Sequence, residues 1–273
     1  MITVISVLHI VSLVFYILSF ISFWRFFVSK RSSTGIRATY ALVAALGIHT
    51  LMLILFTVNR GYLPLGQFAQ AATSFVWLLG ILYLIQQILL KEREFGVFVT
   101  SILAIVQAIT VLVIDYQKPL AEVLQNVLFE IHVSFILIAY AGFALAFIAG
   151  IMYLLLFAEI QRHRFGLFYS RLPSLEFLDK LNIRSVLTGF AFLTCGIGIG
   201  MINANKAWGF FWEWDPKLTV VFLNWLIYLY FTVSYQWFDW RGQRTAWLSV
   251  LGFVVVIVSF FIVTNFASTI HTF

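Results

Sequence analysis

Apolar residues form eight long runs along this chain, and charged or turn-forming residues separate the runs. A bilayer has a hydrocarbon core about 30 Å thick, and a helix needs about 20 mostly apolar residues to cross it. Runs of this length favour helices, which satisfy their own backbone hydrogen bonds in lipid. The pattern therefore predicts an all-α polytopic membrane protein with eight transmembrane helices, near residues 3–27, 38–58, 68–90, 95–115, 127–157, 185–204, 218–238 and 245–268.

The composition supports this prediction. Of 273 residues, 62% are apolar and 10% are charged, whereas an ordinary soluble domain has roughly half and a quarter. This balance excludes a soluble globule, a disordered tail and a nucleic-acid-binding domain. The single cysteine, Cys195, excludes an internal disulfide, and we expect it to pack inside an apolar helix. Gly196, Gly198 and Gly200 follow it and are typical of close contact between helices.

The distribution of basic residues predicts the orientation. Of the 17 Lys and Arg residues, the loops on one side hold all except Arg60, Lys118, Lys206 and Lys217. Basic residues are retained on the cytoplasmic side, so both termini are predicted to face outward. No basic residue precedes the first run, which favours a retained span over a cleaved signal peptide.

The short connections predict a single transmembrane domain over residues 1–273. The longest cytoplasmic connection, 158–184, mixes charges with Phe, Tyr and Leu, a composition typical of a segment lying along the membrane surface. On the outer side, residues 205–217 form a loop rich in tryptophan.

This external loop holds three tryptophans at spacings of four and two, Trp208, Trp212 and Trp214. A belt of interfacial aromatic residues explains one or two of them. Three indoles on a short segment would also offer a flat apolar surface on which a planar ring could stack. Lys206 and Lys217 flank this surface and could meet carboxylates at the edge of such a ring. Asp215 is expected to cap the next helix. The residues alone leave a planar amphipathic ligand and an ordinary interfacial loop open.

The stretch Trp208-Gly209-x-x-Trp212-x-Trp214-Asp215-Pro216-Lys217 resembles the tryptophan-rich WWD motif of the cytochrome c assembly proteins. That family includes CcsA (also called ResC), CcmC and the short HemX-type proteins. Its members carry a histidine before the motif in a context similar to His132-Val133-Ser134 followed by Tyr140-Ala141, and a second histidine after the last span, here His271. The stretches 61–65 and 189–197 also resemble family segments, so the resemblance covers most of residues 49–273.

The resemblance implies that the chain binds haem, expected to be haem b, at an external site. His132 and His271 would be the axial ligands, and the loop from Lys206 through Gly209 to Lys217 would hold the ring. Neutral imidazole is a common axial ligand of haem iron. The predicted topology puts both histidines on the outer side, which is compatible with this role.

A third histidine, His49, falls in the middle of the second run, where an ionisable side chain usually faces a polar interior site. It is a less favoured iron ligand. CcsA-type members have a haem-associated histidine in the span after the motif, but the corresponding position here is near Val233. The seventh run contains no histidine, so an intramembrane bis-histidine site is not expected unless His9 substitutes. Leu218 also stands where the motif commonly continues with Glu.

The leading functional hypothesis is a haem-handling protein that presents haem for cytochrome c assembly. Its expected partners are haem, membrane lipid, apocytochrome c and a CcsB/ResB-type subunit, with which it would form the membrane part of a haem lyase. A second hypothesis is a HemX-like regulator that contacts a cytosolic enzyme of haem biosynthesis through the 158–184 segment. A third is a transporter of another apolar aromatic solute. The resemblance implies a bacterial plasma membrane, and the composition is also compatible with a plastid membrane.

Overall fold

A computed structural model describes residues 1–120, 125–163, 166–209 and 216–266. Within these ranges the backbone of Trp208 and Lys217 is described but their side chains are not, and the same holds for Leu167, Ala207, Pro216 and residues 259–266. The described chain contains helices and no strand. The helices are α1 (Ile2–Ser29), α2 (Ser32–Arg60), α3 (Phe68–Leu90), α4 (Gly96–Val113), α5 (Val127–Gln161), α6 (Leu167–Arg171), α7 (Leu175–Trp208), α8 (Pro216–Trp237) and α9 (Gln243–Phe266).

The prediction of an all-α polytopic membrane protein is confirmed. In the described part of the chain, seven helices are long and apolar enough to cross a membrane, namely α1 to α5, α7 and α8. The eighth predicted run corresponds to α9, whose apolar part with described side chains, Gln243–Val258, is shorter. The orientation of the termini stays a prediction.

Contacts between helices group the chain into two compact units. Unit 1 comprises Met1–Gln125 and Gly166–Pro173, and unit 2 comprises Asn126–Phe165 and Ser174–Phe273. The predicted 158–184 segment accordingly includes the end of α5, the short helix α6 and the first turns of α7. Its position at a membrane surface, and the single domain over 1–273, stay predictions.

Unit 1 is built from two helical hairpins. In it α1 packs against α2 and α4, and α3 packs against α4 and α2. A lysine in the left-handed conformation ends α1 at Lys30 (φ 55°) and α3 at Lys91 (φ 56°). The Lys30 side chain forms an ion pair with Glu94 and donates to the Arg171 carbonyl oxygen at 2.8 Å. These bonds tie the α1–α2 turn to the α3–α4 turn and to α6.

Unit 2 is organised around α5, which is the most buried of the candidate spans. It packs against α7 and α9, while α8 packs against α9 and α7. In the core, the rings of Phe143 and Tyr228 stack with centroids 3.4 Å apart and planes 2° apart. The Asp179 carboxylate of α7 accepts from the Gly242 backbone N–H at 2.8 Å and from the Thr245 hydroxyl at 3.2 Å. This pair of bonds joins α7 to the start of α9.

Two sequence-based expectations differ from the structure. The helix predicted to begin near residue 185 begins at Leu175, because the Ser174 side chain accepts from the Phe177 N–H and caps its first turn. A search for apolar runs misses this polar first section. Cys195 is exposed, so the expectation that it packs inside the protein is wrong. It lies on a face of α7 that the described part of the chain leaves uncovered.

Candidate functional site

His132 lies in the second turn of α5 and is half-buried. Its Nδ1 is 2.7 Å from the backbone carbonyl oxygen of Gly196 on α7. A carbonyl oxygen only accepts hydrogen bonds, so Nδ1 must carry the proton. The neutral ring therefore has its lone pair on Nε2, which is the nitrogen able to bind a metal.

The ring of His132 lies against α7 because α7 has glycine at the contact. A Cβ added at Gly200 would come within 2.6 Å of both His132 Cε1 and Nδ1. A Cβ at Gly196 would come within 2.9 Å of Ile136. Among the described residues, none comes within 4 Å of a Cβ at Gly198, so Gly198 makes no such contact with them. Of the three glycines predicted to permit close helix contact, Gly196 and Gly200 do so.

The same end of unit 2 carries both ends of the tryptophan-rich loop. Helix α7 ends at Trp208, and Gly209 follows in the left-handed conformation (φ 82°), its N–H donating to the Asn205 carbonyl oxygen at 2.9 Å. With a rise of 1.5 Å per residue, Gly209 is about 13 Å along the helix axis from Gly200, which contacts His132. The chain resumes at α8 with Pro216 as the first helical residue, a position that suits proline.

The structure thus places part of the predicted site. His132, Lys206 and Gly209 lie toward one end of unit 2, and the Lys206 side chain is exposed. Trp208 is the last residue of α7, and Lys217 is the second residue of α8. The remaining predicted site residues lie outside the described residues: Trp212, Trp214, Asp215 and His271.

His49 is fully buried in unit 1, and both of its ring nitrogens contact protein groups. Its Nδ1 is 3.0 Å from the Tyr16 hydroxyl, and its Nε2 is 3.0 Å from the Thr73 hydroxyl. The ring of His9, also fully buried, lies beside it with centroids 6.3 Å apart and planes 29° apart. Binding iron through His49 would require one of these hydrogen bonds to break.

Hydrogen bonds connect the two histidines through Thr73. The Tyr116 hydroxyl, whose pKa burial raises to about 12, is 2.6 Å from His9 Nδ1. His9 Nε2 is 3.3 Å from the Thr73 hydroxyl. The Thr73 hydroxyl donates to Gln107 Oε1 at 3.1 Å, which leaves its oxygen free to accept from His9 and from His49.

Further hydrogen bonds join α1 to α4 in this network. Gln107 Nε2 donates to the Ser12 hydroxyl at 3.0 Å, and Ser12 donates to the His9 carbonyl oxygen at 2.7 Å. His9 Nε2 is also 3.2 Å from the Thr110 hydroxyl. The polar groups in this network, which come from α1 to α4, therefore pair with one another, as the low dielectric of the interior favours.

Sequence reasoning singled out His49 but missed the residues that hold it. Thr73, Gln107 and Tyr16 are common residue types and match no motif. The available signal was their position, because each is a polar group in the middle of an apolar run, where such groups are expected to face the protein interior. Which groups pair with one another depends on helix packing and could not be read from the runs.

Comparison with known proteins agrees with the motif. A family model described as "Cytochrome C assembly protein" matches residues 65–271. The chain is similar to a "Cytochrome c biogenesis protein CcsA" of Guillardia theta, with 28% identity over 94% of this chain and 92% of the relative. It is similar to proteins of the same name from Chlorella vulgaris, with 29% identity over 90% and 87%, and from Prochlorococcus marinus, with 27% identity over 89% and 86%.

The family match includes His132 with its contact helix α7, both ends of the tryptophan-rich loop, and the segment up to His271. It covers well over half of the chain, and the relatives align over most of their own length. This multi-pass membrane protein belongs to the cytochrome c assembly protein family.

Proposed function

We propose that this protein binds haem at an external site formed by His132, His271 and the tryptophan-rich loop, and presents it for attachment to an apocytochrome c. The relatives' names supply the role in cytochrome c biogenesis. The observation that carries the proposal is the Nδ1–H···O=C bond from His132 to Gly196. This bond leaves Nε2 as the basic nitrogen and fixes the plane of the ring.

The surroundings of His132 suit a metal-binding imidazole. In metal-binding histidines, the N–H of the second ring nitrogen usually donates a hydrogen bond to a carbonyl or carboxylate oxygen. This bond orients the ring and raises the basicity of the nitrogen that binds the metal. Here the acceptor is the backbone carbonyl oxygen of Gly196. Because this oxygen belongs to the backbone of the long helix α7, its position is fixed. His271 would supply the second iron ligand.

The ends of the loop suit the edge of a porphyrin. Lys206 is exposed in the last turn of α7 and can pair with a propionate, and we assign the same role to Lys217. Trp208, Trp212 and Trp214 would stack on the ring, with Gly209 turning the chain and Asp215 capping α8. Bound haem, proposed to be haem b, would supply the vinyl groups that react with two cysteine thiols of the apocytochrome. The protein's own contribution would be to orient the ring and control access to it.

His49 is left out of the proposed ligand set because both of its ring nitrogens form hydrogen bonds inside unit 1. The partners of the proposed function are an apocytochrome c and a CcsB/ResB-type subunit, and the proposed location is a bacterial plasma membrane, with a plastid membrane as the alternative. The site would face outward, in line with the distribution of Lys and Arg.

The absorption spectrum of the purified protein tests this proposal. We expect a Soret band in the wild type, confirmed as haem b by a pyridine haemochrome assay, and its loss in His132→Ala/His271→Ala. The matched control is His163→Ala, because His163 is exposed in the turn after α5 and should leave the band unchanged.

Two further measurements sharpen the result. Added imidazole should restore part of the band in His132→Gly, because a free ring can occupy the vacated position. Deletion of the gene should abolish covalent c-type cytochromes, whereas a purely regulatory protein would change haem synthesis and leave their maturation intact. A double variant with an unchanged Soret band would disprove the proposed site.

A further inference from the structure

The turn between α1 and α2 forms a groove that the haem site does not involve. The groove has a volume of about 500 Å³ and lies between the last two turns of α1 and the first turns of α2. Three arginines line it: Arg25 from α1, Arg31 from the turn and Arg37 from α2. All three are exposed.

These arginines lack acidic partners among the residues that the structure describes. The carboxylate of Glu94, in the α3–α4 turn, is paired with Lys30 of the α1–α2 turn. The other described ion pairs lie in unit 2, between Lys180 and Glu176 and between Arg241 and Asp239. Three guanidinium groups around one groove therefore form an uncompensated positive site, and guanidinium is well suited to bind phosphate.

The wall of the groove is also apolar. Trp24 and Val28 line it one turn apart on α1 and are 54% and 52% exposed. The apolar surface continues along α1 through Ile21 (39% exposed) and Ile17 (40% exposed). Residues 17, 21, 24 and 28 lie on one face of a helix, since they are three or four apart. The groove thus opens onto an apolar stripe that continues along α1, a helix long and apolar enough to cross a membrane.

We propose that this groove binds the headgroup of an anionic phospholipid, with an acyl chain along the stripe of Ile17, Ile21, Trp24 and Val28. The arginines provide the positive charge. Trp24 lies near the end of α1, and tryptophan at the end of a membrane span usually meets headgroups. Basic pockets between transmembrane helices on the cytoplasmic side are suited to anionic headgroups. A soluble phosphate compound would bind the arginines but would make no contact with the apolar stripe. An acidic peptide would likewise not extend along the stripe into the membrane.

Native mass spectrometry of the full-length protein in detergent tests this proposal, with phosphatidylglycerol and phosphatidylcholine as probes. We expect the wild type to retain phosphatidylglycerol at least about tenfold better, since each basic residue near the lipid surface contributes appreciably. The variant Arg25→Gln/Arg31→Gln/Arg37→Gln should lose this preference. The matched control is Lys180→Gln/Arg184→Gln/Arg244→Gln, which removes the same charge from unit 2 and should keep it.

Two additional measurements address folding and the source of the phosphate. Ser29→Asp places a carboxylate in the groove at an exposed position and should weaken phosphatidylglycerol retention without removing an arginine. Glycerol phosphate should fail to displace the lipid at concentrations where phosphatidylglycerol exchanges freely. The proposal would be overturned by equal retention in the two triple variants, by displacement with glycerol phosphate, or by retention of an acidic polypeptide in place of lipid.

Discussion

The imidazole of His132 lies against α7 because residue 200 has no side chain. A Cβ there would overlap the ring at 2.6 Å, a separation that the packed interior does not tolerate. Gly196 contributes differently, because its carbonyl oxygen receives the Nδ1 proton. Gly198 faces away, since two residues turn a helix by about 200°. The position of one ring thus depends on which glycines of the run face α5.

Gly200→Ala therefore tests the proposed haem site without changing a ligand. We expect it to displace the His132 ring and to reduce the haem content of purified protein severalfold, with a shifted Soret maximum in the remainder. Gly198→Ala is the matched control, because it makes the same change two residues away, where no described residue lies within 4 Å of the added Cβ. Equal haem content and equal spectra in the two variants would contradict the positioning role of Gly200.

Glu92 and Glu94 lie two residues apart in the α3–α4 turn, and only Glu94 forms an ion pair in the described part of the chain. Burial, and then repulsion from Glu94, raises the pKa of Glu92 above its ordinary value, while Glu94 pairs with Lys30. A raised pKa in the folded state means that Glu92 contributes stability below the unfolded value of 4.5 and loses it as the pH rises through the folded value. At neutral pH the charge of Glu92 is therefore destabilising.

Glu92→Gln should accordingly raise the melting temperature at pH 7, with a gain in unfolding free energy of less than about 1 kcal/mol because the site is half-exposed. The gain should vanish below the unfolded pKa, where the native carboxyl is protonated as well. Glu94→Gln should lower the melting temperature at pH 7, since it removes the partner of Lys30. Thermal unfolding in detergent across this pH range measures both effects. A lower melting temperature for Glu92→Gln at pH 7 would show that the Glu92 charge stabilises the fold and would contradict this prediction.

At the scale of the helices, the four long helices of unit 1 share one buried hydrogen-bond network centred on Thr73. Its hydroxyl contacts His9 on α1, His49 on α2 and Gln107 on α4. This one oxygen atom therefore joins the α1–α2 hairpin to the α3–α4 hairpin. Polar contacts of this kind between transmembrane helices hold the helices in one arrangement.

Thr73→Val keeps the shape of the side chain and removes the hydroxyl. We expect it to lower the free energy of unfolding by roughly 1–3 kcal/mol, because buried donors and an acceptor lose their partner. Thr73→Ser retains the hydroxyl and should lose much less. Melting temperatures of the two variants in the same detergent provide the comparison, and wild-type stability in Thr73→Val would show that the network contributes little.

The helices differ in how far the sequence predicts them. The bounds of α3 coincide with the predicted run, because Gln67 and Lys91 flank a largely apolar stretch that contains no charged residue. For α7 the prediction begins about ten residues late, because the cap at Ser174 and the bond from Asp179 to the start of α9 stabilise a polar section. The His132 site was predicted from its motif context. The His9–His49 network was not, because it arises only when four helices meet.

For the whole molecule, the main untested prediction is its orientation in the membrane. Lys206 and Arg241 are both exposed and lie on either side of α8, one before it and one after it. If α8 spans the bilayer, the two side chains face opposite compartments. The excess of Lys and Arg on one side puts Lys206 outside.

Cysteine labelling measures this orientation. Cys195 is exposed, so it is first replaced by Ala. Lys206→Cys should then react with a membrane-impermeant maleimide in intact cells, and Arg241→Cys should react only after permeabilisation. Labelling of both positions from the same side would exclude α8 as a span, and the reverse pattern would invert the topology.

The close approach of α5 and α7 also limits how unit 2 can move. A Cβ at Gly142 would be 3.1 Å from the Gly189 Cα, and one at Gly189 would be 2.6 Å from the Phe143 ring. Interdigitated surfaces of this kind do not slide gradually, and their alternative registers differ by about one helical pitch, near 5.4 Å. Any movement of α7, which ends at the tryptophan-rich loop, along α5 would thus be a discrete step between two packed positions. Steric overlap would block the positions in between.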